Sequence, residues 1–143
     1  MQVNELRIGN FVWENYGGIC IIRGIPSDQK VSVSKSSTPI IVDFKIGELK
    51  GIPISEEWLL HLGFEKVLGA QGDWKIKIQE DSGGGNGEFW LWVDFGYDNE
   101  TNEIGIQIVS PESEWLNTNA KYVHQLQNLY FAILCGELVS KPK

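Results

Sequence analysis

Between residues 5 and 50 apolar and polar positions alternate in short runs, and turn residues interrupt them at close spacing. LRIGNFVW leads to Tyr16-Gly17-Gly18, ICIIRGI to Pro26-Ser27-Asp28, and VSVS to Ser36-Ser37-Thr38-Pro39 before IIVDFKI. Strand side chains point alternately to opposite faces, so this pattern predicts half-buried strands joined by tight turns. Four such strands predict a curled sheet or small barrel of the SH3-like kind. The alternation returns from Trp74 onward. WKIKIQ, EFWLWVDF and IGIQIV, separated by DSGGGNG and YDNETNE, predict a three-stranded antiparallel sheet.

After residue 118 the period changes. From Asn119 to Leu138, at 100° per residue, Leu129, Tyr122, Ile133, Leu126, Tyr130, Val123 and Leu134 form one stripe, while Gln125, Asn128 and His124 fall away from it. Asn117, Thr118 and Asn119 offer N-cap oxygens, and Gly136 stands where a left-handed residue would end the helix. The pattern predicts an amphipathic helix laid over the second sheet. A shorter helix is announced by Pro53-Ile54-Ser55-Glu56-Glu57, with Ser55 as cap, the two carboxylates near the positive end of the dipole, and Gly63-Phe64 as the stop. The fold class expected is therefore α+β. Residues 1–52 form a β-rich module, 53–68 a linking helix, and 69–143 a β-β-β-α module; the length equally suits one compact domain.

Strand parity divides the second sheet into two faces. Trp74, Ile76 and Ile78, then Phe89, Leu91, Val93 and Phe95, then Ile104, Ile106 and Ile108 make three matching apolar rows for the helix to cover. The other face carries Lys75 and Lys77, then Trp90 and Trp92, then Gln107. Two indoles at i and i+2 edged by Lys and Gln form an aromatic platform. Such a surface stacks bases or sugar rings, at about 1–3 kcal/mol per base, or is covered by another module or a second subunit. Phe131 is a second misfit, about 180° from Tyr122 on the helical wheel and beside His124 and Gln127. Phe131 and His124 are thus candidates for an oligomer interface, unless the strand module wraps that flank.

Composition narrows the functional classes. The net charge of −7 opposes non-specific binding to phosphate backbones, so nucleic acid is an unfavoured partner. Cys20 and Cys135 lie in apolar runs and read as buried thiols. No apolar run approaches the ~20 residues of a membrane span and no signal sequence opens the chain, which predicts a cytoplasmic protein without membrane contact. DSGGGNG lacks the Lys-Ser/Thr of a phosphate loop and reads as a hairpin. His61 and His124 have no ligand-type neighbours at metal spacing, and Asp98, Glu100, Asn102 and Glu103 do not follow a calcium-loop spacing. No nucleophile elbow or catalytic carboxylate pair stands out, so the expectation is no enzyme, no cofactor and no metal.

Three segments, ELRIGNFV, IPISEEWLLHLGFEK and YVHQLQNLYFAILCGEL, resemble a group of short, uncharacterised bacterial and phage-borne proteins. The resemblance implies a small cytoplasmic protein of bacteria or their mobile elements, and brings no catalytic residues with it. The platform segment lies outside it. Two functions are expected on these grounds. One is a non-enzymatic binding or adaptor protein acting on a protein partner, with homo-oligomerisation as a variant. The other is a weak nucleotide or single-stranded nucleic-acid binder using Trp90, Trp92, Lys75, Lys77 and Gln107.

Overall fold

A computed structural model describes residues 1–35, 38–68, 73–79, 89–98, 103–109, 114–116 and 120–134. The chain forms two compact units. The first combines Met1–Ile54 with Tyr122–Val139, and the second holds Ser55–Lys121 and Ser140–Lys143.

The first unit is a curled antiparallel half-barrel of β1 (Phe11–Glu14), β2 (Ile19–Gly24), β3 (Lys30–Lys35), β4 (Ile41–Lys45) and β5 (Leu49–Lys50). Their order is β4-β3-β2-β1-β5, so β5 returns to the free edge of β1 after a 3-10 turn at Ile46–Glu48. That two-residue strand is too short for an alternation to reveal it. Val12, Cys20, Ile22, Val31, Val33, Leu6 and Leu49 form the core, the alternate positions that parity selects. Cys20 is buried there as a free thiol, and burial pushes its pKa up. Cys135 lies outside the described residues.

The second unit opens with α1 (Glu56–His61). The Ser55 hydroxyl accepts from Trp58 N–H at 3.3 Å, and the N–H groups of Gly63 and Phe64 donate to the carbonyls of Leu60 and Leu59 at 3.1 and 2.9 Å. Both ends of this short helix are thereby capped. Its sheet contains β6 (Glu65–Lys66), β7 (Asp73–Gln79), β8 (Phe89–Asp98), β9 (Glu103–Val109) and β10 (Glu114–Leu116), in the order β10-β9-β8-β7-β6. The three expected strands sit at its centre, and short edge strands are added on either side. Trp74 is opposite Val93, which is opposite Ile106; all three are buried, as is Leu91. The loops DSGGGNG and residues 99–102 lie outside the described residues.

The last helix, α2 (Val123–Leu134), differs from expectation in its surroundings and rotation. It belongs to the compact unit of the half-barrel, so the 69–143 module with a helix of its own is corrected. Its Gln127 and Asn128 side chains hydrogen-bond to Glu5, Gly9, Asn10 and Phe11. Val123 and Leu126 of the expected stripe are buried, but so are His124 and Gln127 from its polar flank. For Gln127 the physical reason is that an amide can be buried where it satisfies backbone groups, a gain that apolar periodicity does not register, and for His124 it is the ring stacked on Tyr122. The cap candidates Asn117, Thr118, Asn119 and Gly136 lie outside the described residues. Among those described, no helix is long and apolar enough to cross a membrane.

Candidate functional site

Cross-strand register builds the aromatic platform inside the second unit. Lys75 is paired with Trp92 and Trp92 with Gln107; Lys77 is paired with Trp90 and Trp90 with Val109. A further row sets Asp73 opposite Asp94 and Asp94 opposite Gly105. Residues two apart on a strand share a face, so the five residues expected to form the platform fall on one side of the sheet. Trp90, Trp92, Lys75, Lys77 and Gln107 are all half-buried. Neither full burial nor an open patch describes the two indoles.

The side chains on this face are held by one another. The Lys75 ammonium lies 4.2 Å from the centroid of the Trp90 ring and 3.6 Å from a Glu65 carboxylate oxygen. Ammonium and indole attract through the ring quadrupole, and register with β6 brings Glu65 to the same lysine. The Trp92 Nε1 is buried and has no hydrogen-bond partner among the described residues. Burial, a hydrogen bond with Asp94 and the repulsion between the two carboxyls push the Asp73 pKa up from its ordinary 3.8. Strand parity places this pair beside Trp92, yet its apolar surroundings in sequence gave no sign of it.

The interface candidates have another place. His124 is completely buried in the first unit, so its expected role at an oligomer interface is corrected. Its ring stacks on Tyr122, with centroids 5.7 Å apart and planes 7° apart. Neither ring nitrogen finds a hydrogen-bond partner among the described residues, and burial lowers its pKa. Phe131 is half-buried, and the guanidinium of Arg7 lies 3.4 Å from its ring centroid. The strand module therefore wraps the flank that apolar periodicity left open.

Beside these rings lies a knot of amides that sequence reading missed. The Gln127 Oε1 accepts from Phe11 N–H at 2.8 Å while its Nε2 donates to the Gly9 carbonyl at 3.2 Å. Asn10 Nδ2 donates to Asn128 Oδ1 at 2.9 Å, and Asn128 Nδ2 donates to the Glu5 carbonyl at 2.7 Å. Gly9, at φ 95°, makes the turn that presents these groups. Gly51 adds the other wall, because a Cβ there would stand 2.6 Å from the Tyr122 ring. Tyr122 bridges to Pro53, and Val123 N–H donates to the Ile52 carbonyl at 2.8 Å. ELRIGN and YVHQLQN, two of the segments carrying the resemblance, thus meet here with the start of the third. The signal available was the Arg7-Gly9-Asn10 turn together with the amides of α2, both polar features in apolar company.

Comparison with protein-family models, curated proteins and solved structures finds no match to this chain.

Proposed function

We propose that the chain is a non-enzymatic binding or adaptor protein that engages a protein partner through the Trp90–Trp92 face of its second sheet. The observation carrying this reading is the Lys75 ammonium over Trp90, held also by Glu65. A lysine fixed in this way leaves a largely preformed aromatic and charged surface. Trp is among the residues that dominate protein interfaces when they are partly exposed and rigidly held. The same geometry weighs against base stacking on Trp90, since a nucleobase would have to displace the ammonium from the ring. The charge of −7 adds long-range repulsion of phosphate.

The first unit serves as scaffold in this reading. Its meander, with β5 returned to β1 after a 3-10 turn, supports an SH3-like assignment. The resemblance of three segments to bacterial and phage-borne proteins supports a role in bacteria or their mobile elements.

The test is affinity capture with the wild type and with Trp92→Ala, Lys75→Glu and Tyr16→Ala. A specific protein should be retained by the wild type and by Tyr16→Ala, a highly exposed residue of the other unit, and lost with the two platform variants. Equal retention by all four would end the reading. Saturable binding of oligonucleotides that Trp92→Ala abolishes would replace it with the nucleic-acid alternative.

A further inference from the structure

We propose that, independently of the Trp90–Trp92 face, the free edge of β4 pairs antiparallel with β4 of a second copy of this chain, about a two-fold axis through Val42. β4 ends the order β4-β3-β2-β1-β5, and among the described residues no strand lies on its outer side. Edge strands are normally blunted by charge, Pro or a bulge. Here Pro39 and Lys45 stand at the two ends, while Ile40, Ile41 and Val42 between them are 67%, 60% and 48% exposed. Ile22 is opposite Val33 and Val33 opposite Val42, and exposure along that row rises from 0% and 1% to 48%. The apolar layer of the half-barrel thus runs out into solvent at β4, where it invites a partner.

The backbone defines what fits. The Ile46 N–H donates to the Gln29 carbonyl at 2.9 Å, in the register of the β3–β4 ladder, and the Lys45 N–H donates instead to the Glu48 carboxylate at 2.8 Å. Antiparallel ladders alternate, so Phe44 and Val42 bond to β3, and Ile41 and Asp43 turn their N–H and C=O groups outward. A second β4 centred on Val42 sets Ile41 opposite Asp43 of the second copy, and the reverse, which satisfies every one of these groups. Val42 then meets Val42, and the row Ile22–Val33–Val42 continues into its own copy without a break. A shift by one pleat in one direction puts Asp43 against Asp43, like charges directly opposed. A shift in the other direction sets Asp43 opposite Pro39, whose nitrogen carries no proton, and leaves the Asp43 carbonyl without a donor. The edge is therefore complementary to itself in one register.

Light scattering of the full chain over concentrations up to about 1 mM tests this, with Val42→Lys and Leu60→Lys for comparison. The wild type should pass from monomer to dimer as concentration rises. Val42→Lys sets two ammonium groups face to face and should weaken association about tenfold or more. Leu60→Lys adds the same charge at an exposed site in the second unit and should change association less than about twofold. An equimolar mixture of Val42→Lys with Val42→Glu should dimerise again, which also shows that both variants fold. Cysteine linkage checks the register. Val42→Cys should give a disulfide-linked dimer beyond the wild-type level, since partners in a pair without mutual hydrogen bonds lie about 4.5 Å apart at Cα. Ile40→Cys should not, because its two copies would stand roughly 13 Å apart along the strands. A wild type that stays monomeric throughout would overturn the proposal. So would a dimer indifferent to Val42→Lys, or linkage by Ile40→Cys in place of Val42→Cys. A monomer that loses a captured protein on Val42→Lys would assign the edge to another protein's strand, and overturn the proposal likewise.

Discussion

The two units use polar side chains in opposite ways. In the first, Asn10, Glu14, His124 and Gln127 are buried, and its amides join residues 116 to 123 positions apart along the chain. In the second, Lys75, Lys77, Trp90, Trp92, Asp73 and Asp94 stand half-buried on one sheet face, each opposite a neighbour in register. The difference teaches where each unit is vulnerable. A central sheet of successive antiparallel strands is closed by local pairing, whereas a helix brought back from the far end of the chain must offset a large loop-closure entropy through specific contacts. The amide knot supplies specificity there, and the apolar residues beneath it supply most of the free energy.

The largest effect should come from that apolar layer. Leu126→Ala empties a fully buried site and should cost about 2–5 kcal/mol in denaturant unfolding. A loss below about 0.5 kcal/mol, the range of an exposed position, would show that α2 does not anchor the first unit. Gln127→Leu comes next, at about 2–4 kcal/mol, because it removes the acceptor of the buried Phe11 N–H and the donor to the part-buried Gly9 carbonyl. Gln127→Glu keeps the acceptor for Phe11 and should fall between the wild type and Leu. A neutral Gln127→Leu would place the knot's contribution in packing alone and dissolve the contrast between the units.

Gly51→Ala should cost about 1–3 kcal/mol by forcing a methyl against the Tyr122 ring. Combined with Tyr122→Ala it should cost less than the sum of the two single changes, since the clash then has no target. Strict additivity in that double-mutant cycle would mean that the helix moves away freely, and that the close approach at Gly51 holds nothing in place.

What could be read from the sequence divides along the same line. The second sheet was legible because parity is a local property: Trp74, Leu91, Val93 and Ile106 are buried where alternation put them, and Lys75, Trp92 and Gln107 share a row. β5, β6 and β10 were not, because two or three residues carry no usable period. The helical stripe was half right. Leu126 and Val123 point inward, but the wheel set His124 and Gln127 on the flank away from the stripe, and hydropathy does not see the backbone partners that Gly9 and Phe11 offer Gln127. Which sheet the helix joins is a question of topology, and adjacency in sequence pointed to the wrong one. Asp73 and Asp94 are 21 positions apart, and only register makes them a pair.

The smallest effect gives the comparison its finest test, because acid should move the two units in opposite directions. His124 has its pKa lowered from the ordinary 6.5, chiefly by burial, with the N-terminal amine reinforcing the shift and Glu5 opposing it. A base depressed in the fold is protonated more readily when unfolded, so its stabilising contribution is complete above 6.5 and is lost as pH falls below it. Asp73 has its pKa raised from 3.8, so the folded state holds that proton more readily than the unfolded one. Its charging cost is relieved as pH falls from the raised value toward 3.8, which favours the second unit. Solvent screening keeps this second contribution small. Amide hydrogen exchange can follow each unit separately from about pH 7 down to about pH 4, a range that takes in the window of each group. Protection of α2 and β1 should fall on acidification, and His124→Phe should flatten that fall while keeping an aromatic ring stacked on Tyr122. Protection of β7 and β8 should hold or rise slightly, and Asp73→Asn should remove the rise. If His124→Phe leaves the acid response of the first unit unchanged, the buried imidazole is not its source, and the contrast drawn from polar burial fails at its most sensitive point.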